Sequence, residues 1–334
     1  METATKSGVV LGIDVGTTAV KAIAVSHEGS LGVAQADYGT SYPHPGWVEQ
    51  DPEKWWLATR KAVAELAVDQ VSAVGLSGQL NGLVFVSEQG DPIRPAIIWL
   101  DGRATKEAEE LKSSFSEEIF AYGLTEPAPI HGLTKILWIL RNEPETLEQT
   151  HKILFVKDYI AMKITGAFVT DVSDAGGALL LDLRRREYAT SFLSRLFDTS
   201  KLPTLHESPD VVGATTREAA DALGIAEGLP VVAGAGDTTA LAVGMGVDRP
   251  GTACTTIGTA GHIAAYMSEI PDQFDPRMWV MCHGIPGKYY WHGLVMTGGY
   301  SLDWYMQRFA KVVSSAEGSA DAYPEALEKA SKVA

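Results

Sequence analysis

At 334 residues, with 46% hydrophobic and 21% charged residues, the sequence is long enough for two domains and too apolar for a disordered chain. A formal net charge of −15 argues against nonspecific binding to nucleic acid or to an anionic membrane. It does not exclude phosphate ligands, which backbone N–H groups, a lysine or a divalent cation bind locally. The two cysteines, Cys254 and Cys282, make no disulfide framework and indicate a reducing compartment. No apolar run reaches the roughly 18 residues of a transmembrane helix, so a cytoplasmic enzyme is expected.

The chain is organised around Val9–Val25, VVLGIDVGTTAVKAIAV. Two short β-branched runs flank Gly16, Thr17 and Thr18 and read as the strands of a tight hairpin, with Asp14 at the end of the first. The turn's N–H groups and hydroxyls suit an anionic ligand, with Asp14 holding a cation beside it; an ordinary hairpin in which Asp14 only caps the turn is the alternative. After a turn at His27 to Gly29, Leu31–Tyr38 reads as a third strand. Pro43, Pro45 and Gly46 then exclude regular structure until Asp51, Pro52 and Glu53 supply an N-cap, a first-position proline and a first-turn acid. Trp56, Val63 and Leu66 share one face of that helix, and the Trp55-Trp56 pair reads as packing.

Val71 to Gly78 reads as a strand ending in small residues, and Gln79, Leu80 and Asn81 follow at its carboxyl end, where α/β sheets collect ligands. Amide side chains there can bond sugar hydroxyls, while Asn81 equally suits a turn conformation. PAIIWLDGR delivers Trp99, Asp101 and Arg103 to another strand end, which suits a sugar pocket or, alternatively, a structural Asp-Gly turn leading into a helix near Ala104. Ala104 to Thr165 reads as mostly helical, with Pro144 starting one helix and Lys157-Asp158 at the start of the last. Asp171, Ser173 and Asp174 read as caps and turn formers rather than as metal or acid–base groups.

Thr216 starts a helix that stops at Gly224, and Val231 to Ala233 is a strand. Gly234 and Gly236 leave room for close backbone approach, and Asp237 stands where strand becomes helix. It is a candidate general base, an N-cap for a helix from Thr238, or both. From Gly251 the opening pattern returns as two strands around a turn at Gly258 to Gly261, lacking the acid. Two such hairpins point to duplicated lobes, each offering a phosphate-binding turn.

Seven motifs in order across Val9 to Trp304 resemble the FGGY family of carbohydrate kinases, within the sugar kinase, heat-shock protein 70 and actin superfamily. They are GIDVGTT, HPGWVEQDPEKWW, GLSGQLNG, PAIIWLDGR, TDVSDAGG, AGAGD and TIGTAG. The WLDGR and SDAGG pieces are most similar to xylulokinases. The resemblance implies an α/β, actin-like (ribonuclease H-like) ATPase fold, with residues 1–248 as a sugar-binding lobe and 249–334 as the start of a nucleotide-binding lobe. It implies ATP- and Mg2+-dependent phosphoryl transfer to a primary hydroxyl of a small ketose, D-xylulose first and D-ribulose or another polyol as alternatives. Asp237 would be the base and Asp14 the magnesium anchor. Gly16, Thr17, Thr18, Gly258 and Thr259 would face the phosphates, and Gln79, Leu80, Asn81, Trp99 and Thr238 the sugar. ATP, ADP and the sugar are the expected partners, with no nucleic acid or membrane and a homodimer left open.

The sequence departs from xylulokinases at Leu80-Asn81, where they carry Met-His, and at Thr238, where they commonly carry an amide, so the sugar is in question. No glycine-rich adenosine motif follows Trp304, so a fragment with an incomplete second lobe and no adenine pocket is expected. A catalytically silent sugar-binding module is the alternative. The last stretch, DAYPEALEKASKVA, reads as an amphipathic helix that stops in mid-pattern.

Overall fold

The computed structural model describes residues 8–67, 70–257, 260–273, 278–295 and 297–313. The expected opening meander is present: β1, Val9–Val15, pairs antiparallel with β2, Ala19–Ser26, and β2 pairs antiparallel with β3, Gly29–Asp37. β3 starts two residues earlier than expected, because the pairing with β2 runs on to Ser26 opposite Gly29. On its other side β1 runs parallel to Val71–Gly78, which is in turn parallel to Pro230–Val232 and Ala235–Gly236. Val211–Ala214 completes this seven-stranded sheet. Its central strands bury one face, which carries Leu11, Ile13, Val15, Val74, Leu76 and Val231, whereas Val10 on the other face of β1 is exposed.

The register of this sheet positions everything that follows. Asp14 lies opposite Ser77 and Ser77 opposite Ala235; one row on, Val15 and Gly236 both lie opposite Gly78. Three parallel strands therefore end side by side and release Gly16, Gln79 and Asp237 at one edge. Helix α1, Pro52–Leu66, covers β2 and β3 from one face and starts as its sequence dictates, with the Asp51 carboxylate accepting from the Glu53 N–H. That cap contributes about 1 kcal/mol. Burying a large side chain such as Trp55 contributes about 2–3 kcal/mol, so packing rather than capping holds the helix in place.

A second sheet joins Glu49–Gln50, Ala96–Ile97, Leu83–Val86 and Lys152–Phe155 in that spatial order. Two of these strands correct the sequence reading: Glu49–Gln50 lies in a stretch expected to be irregular, and Lys152–Phe155 in one expected to be helical. Three apolar residues after a lysine carry no helical period, and it is the pairing with Leu83–Val86 that makes KILF a strand. The helices Thr105–Gly123, Gly132–Asn142, Pro144–Gln149 and Val156–Thr165 account for the rest of that region, with Pro144 at a first helical position as expected. A third sheet is wholly antiparallel, ordered Ala253–Ile257, Gly261–Met267, Tyr289–Val295 and Trp279–Cys282. It contains the second hairpin. The turn residues Gly258 and Thr259, and the helix expected at the C-terminal end, lie outside the described residues. Among the described residues no helix is long and apolar enough to cross a membrane.

Beneath the edge where the three strands end lies an ionic cluster that the sequence reading did not anticipate. The Lys157 ammonium is 2.6 Å from Asp158 and 3.1 Å from both Asp171 and Asp174, all fully buried. Asp171 also caps the helix Val172–Gly177, accepting from the N–H groups of Ser173 and Asp174, which is the cap role expected of it. Burial works against the Lys157 charge, but the three carboxylates outweigh it and hold its pKa well above the usual value. Burial holds the Asp174 carboxyl well above its ordinary 3.8. The folded protein thus keeps a proton that the unfolded chain loses above about pH 4. That stabilisation is whole below the unfolded carboxyl value and is lost as pH rises through the folded one. Asp174→Asn, which carries its own protons, should therefore flatten the fall in Tm between about pH 5 and about pH 9 in thermal circular dichroism. Equal slopes for variant and wild type would remove the extra proton from this cluster.

Candidate active site

A cleft of about 620 Å3 opens at the edge where the three parallel strands end. Of the residues singled out in the sequence, Thr17, Thr18, Leu80 and Asn81 line it, and so do Trp99, Asp237 and Thr238. The facing wall comes from the third sheet, chiefly His262, Trp279, His292 and Leu294.

Asp237 opens the helix Asp237–Gly244, and its Oδ1 accepts from the Thr238 N–H at 2.7 Å. The N-cap is Gly236, not Asp237, which corrects the capping alternative: Asp237 is already helical, and its carboxylate is left to face the cleft. The approach to it requires glycine. Gly234 has φ +73°, and a Cβ there would lie 2.1 Å from the Leu76 carbonyl oxygen. The Gly236 N–H donates to Ser173 Oγ at 2.9 Å, tying this turn to the layer of the buried ionic cluster. From the other wall, the Tyr290 hydroxyl lies 3.2 Å from Thr238 Oγ1 and 2.9 Å from Thr239 Oγ1.

The electrostatics single out two carboxylates. Burial pushes Asp237 up to about 7, the charge of Asp14 adds to this, and the N–H groups of Thr238 and Leu80 oppose it. Burial also raises Asp14, against the Ser77 hydroxyl and the Lys21 charge. Asp14 Oδ1 is buried without a hydrogen-bond partner. An unpartnered carboxylate oxygen fits a hard divalent cation, and a carboxyl that titrates near neutrality fits proton transfer.

Several sequence expectations resolve into structural roles. Gln79 is buried and does not line the cleft; its Nε2 bonds Gln50 Oε1 at 2.9 Å and the Gly16 carbonyl at 3.3 Å. Gly16 directs its N–H to the Ala19 carbonyl at 3.1 Å and accepts from the Tyr38 hydroxyl, so it shapes the turn rather than lining the cleft. Trp99 lines the cleft and donates to Thr17 Oγ1 at 3.0 Å. Asn81 takes the turn conformation expected of it, with φ +63°, and it lines the cleft. Asp101 and Arg103 are paired at 2.7 Å and buried, and the guanidinium sits 3.8 Å over the Trp47 ring while bonding Glu49 at 2.8 Å.

The sequence reading missed Lys135, whose buried ammonium donates to the carbonyls of Asn81 and Ile130 at 2.8 Å each. Burial pulls its pKa down to about 7. It also missed the third-sheet wall. The available signal was period-two alternation, which puts His262 and Ala264 of one strand beside His292 and Leu294 of its neighbour. Asp101→Ala should cost about 3 kcal/mol in urea unfolding, because it strips a buried guanidinium of one carboxylate. A loss below about 1 kcal/mol would mean that Glu49 and Trp47 suffice.

Residues 9–244 match the model of the FGGY family of carbohydrate kinases, N-terminal domain. A xylulose kinase from Escherichia coli is 35% identical over 306 residues, which cover 88% of this chain and 62% of that protein. The xylulose kinase from Lactococcus lactis is 32% identical over 324 residues, covering 94% of this chain and 64% of that protein. This chain therefore spans less than two thirds of the length of these relatives. Among solved structures, xylulose kinase from Rhodospirillum rubrum matches with a TM-score of 0.88 at 31% identity, over 95% of this chain and 65% of the other. Gluconate kinase from Lactobacillus acidophilus shares the fold, with a TM-score of 0.89 at 22% identity over 97% of this chain and 66% of the other.

Proposed function

This chain belongs to the FGGY family of carbohydrate kinases, and from that premise we propose that its cleft binds a small ketose, D-xylulose first, and serves transfer of the ATP γ-phosphoryl group to a primary hydroxyl. The observation that carries the reading is Asp237, a carboxylate on the cleft wall pushed up to about 7, with Asp14 flanking the same central strand. A base that titrates near the working pH accepts the hydroxyl proton as the oxygen attacks, and is still deprotonated often enough to do so.

The other roles follow from placement. Asp14 would hold Mg2+, which supplies charge neutralisation at the phosphates. Thr17 and Thr18 line the cleft, and their hydroxyls would donate to phosphate oxygens, with Gly258 and Thr259 assigned to the same phosphates by their place in the sequence of the second hairpin. Leu80, Asn81, Trp99 and Thr238 would hold the sugar, Trp99 through its ring face. Residues 1–248 are assigned to a sugar-binding lobe that also carries the first phosphate motif, and 249–334 to the start of a nucleotide-binding lobe that also supplies one wall of the cleft. The buried Gln79–Gln50 and Lys157 networks keep these groups in register, which is what phosphoryl transfer chiefly requires.

A coupled ADP-release assay over a panel of ketoses and polyols tests the reading. The highest kcat/KM is expected with D-xylulose, and ATP turnover that is equal with and without every sugar would sink it. Sugar binding without turnover would instead indicate a silent sugar-binding module. Asp237→Asn should lower transfer by about 10²–10⁴-fold while sugar still binds in calorimetry. Because the base works only when deprotonated, the wild-type rate should climb as pH rises through about 7, and the residual rate of Asp237→Asn should lack that limb. An unchanged limb in the variant would assign it to another group.

A further inference from the structure

The cleft carries unpartnered polar atoms on two facing walls. Asn81 is 3% exposed and His292 4% exposed, and Asn81 Oδ1 and His292 Nδ1 are both buried without a hydrogen-bond partner. Both residues line the cleft. Buried polar atoms are nearly always satisfied, so a pair left open in one cleft points to a ligand that completes them.

The chemistry of the two atoms restricts that ligand. Asn81 Oδ1 can only accept, so it needs a donor. His292 Nε2 lies 3.1 Å from His262 Nδ1, with the two rings within 8° of parallel. Two imidazoles in such contact share one proton between the facing nitrogens, and they cannot both be charged without setting N–H against N–H. His292 Nδ1 is then a donor or an acceptor, according to the tautomer. A hydroxyl satisfies it in either state and also donates to Asn81. A carboxylate has no proton for Asn81 Oδ1, and none of the described residues that line the cleft carries an ammonium or guanidinium to receive it. The Lys135 ammonium behind Asn81 is committed to the carbonyls of Asn81 and Ile130. Asp237, in the same cleft, and Asp14 beyond it repel an anion further. Trp279, its ring 5.9 Å from that of His292, and Trp99 offer ring faces to the C–H groups of a sugar.

We propose that Asn81 and the His262–His292 pair together read hydroxyl groups of the phosphoryl acceptor from facing walls and restrict the cleft to neutral ketoses and polyols, rejecting sugar acids. This rests on the reading of the cleft as a sugar kinase's acceptor site and adds the charge class of the acceptor and the residues that select it. A site built to bond a hydroxyl discriminates strongly against a ligand that leaves its polar atoms unpaired.

Isothermal titration of the 334-residue chain with D-xylulose, D-ribulose and D-gluconate at equal ionic strength tests it. The neutral sugars should bind about tenfold or more tightly than D-gluconate. His292→Leu and His262→Leu should each weaken the neutral sugars about tenfold and narrow that gap, with circular dichroism confirming the fold. His292→Gln, which retains a donor and an acceptor, should recover most of the loss. If His292→Leu does not fold, His262→Leu and Asn81→Ala carry the same comparison. D-gluconate binding as tightly as the ketoses, or ketose affinity unchanged in the leucine variants, would overturn the proposal while leaving the kinase reading standing. Binding of no sugar at all would overturn both.

Discussion

The structure depends on the parallel pairing of three strand ends. β1 and Ala235–Gly236 flank Val71–Gly78 in a register that sets Val15 and Gly236 against the same glycine, Gly78. Only small residues permit this. A side chain at Gly78 would lie 3.2 Å from the Lys157 backbone, and one at Gly234 would strike the Leu76 carbonyl. Once the register is set, Asp14 and Asp237 necessarily emerge at one edge with a single strand between them. Burial drives the shift of Asp237 toward neutrality, and the charge of Asp14 across that strand adds to it.

Around this edge the polar residues divide by what they face. Gln79 with Gln50, Asp101 with Arg103 and Lys157 with its three carboxylates are turned inward and paired with one another, with Gln79 Oε1, Arg103 Nη1 and Asp174 Oδ1 left without a hydrogen-bond partner. Such buried networks are costly when incomplete and rigid when complete, so they hold the strand ends rather than contacting a ligand. Asp14 Oδ1, Asn81 Oδ1 and His292 Nδ1 have no protein partner.

Much of the first lobe was legible in the sequence. The meander, the Asp51-Pro52 helix start, the Gly234–Gly236 approach and Asp237 at a strand-to-helix junction all follow from local signals: β-branched runs, caps, proline position and glycine spacing. Four-residue strands such as Lys152–Phe155 were not legible, because a short apolar run has no period of its own and takes its form from its partner. The buried place of Gln79 was not legible, and Asp101 stayed open between a pocket and a structural pair, for a related reason. A polar residue after a strand reads the same whether it turns toward ligand or toward Gln50 and Arg103, residues distant in sequence or oriented only by the fold.

By itself, the sequence singled out Asp14, Asp237, Asn81 and Trp99, because caps, turns and strand ends are encoded within a few residues. Only the tertiary structure decided that Asp237, Asn81 and Trp99 share one cleft with Asp14 beyond it, that Gly16 and Gln79 brace it without lining it, and that His262 and His292 stand on its other wall. Those outcomes rest on sheet register and on contacts between residues far apart in the chain. The opening hairpin therefore carried its own strands and turn in its sequence, whereas the significance of its single acid came from Asp237, held by the sheet on the other side of Val71–Gly78.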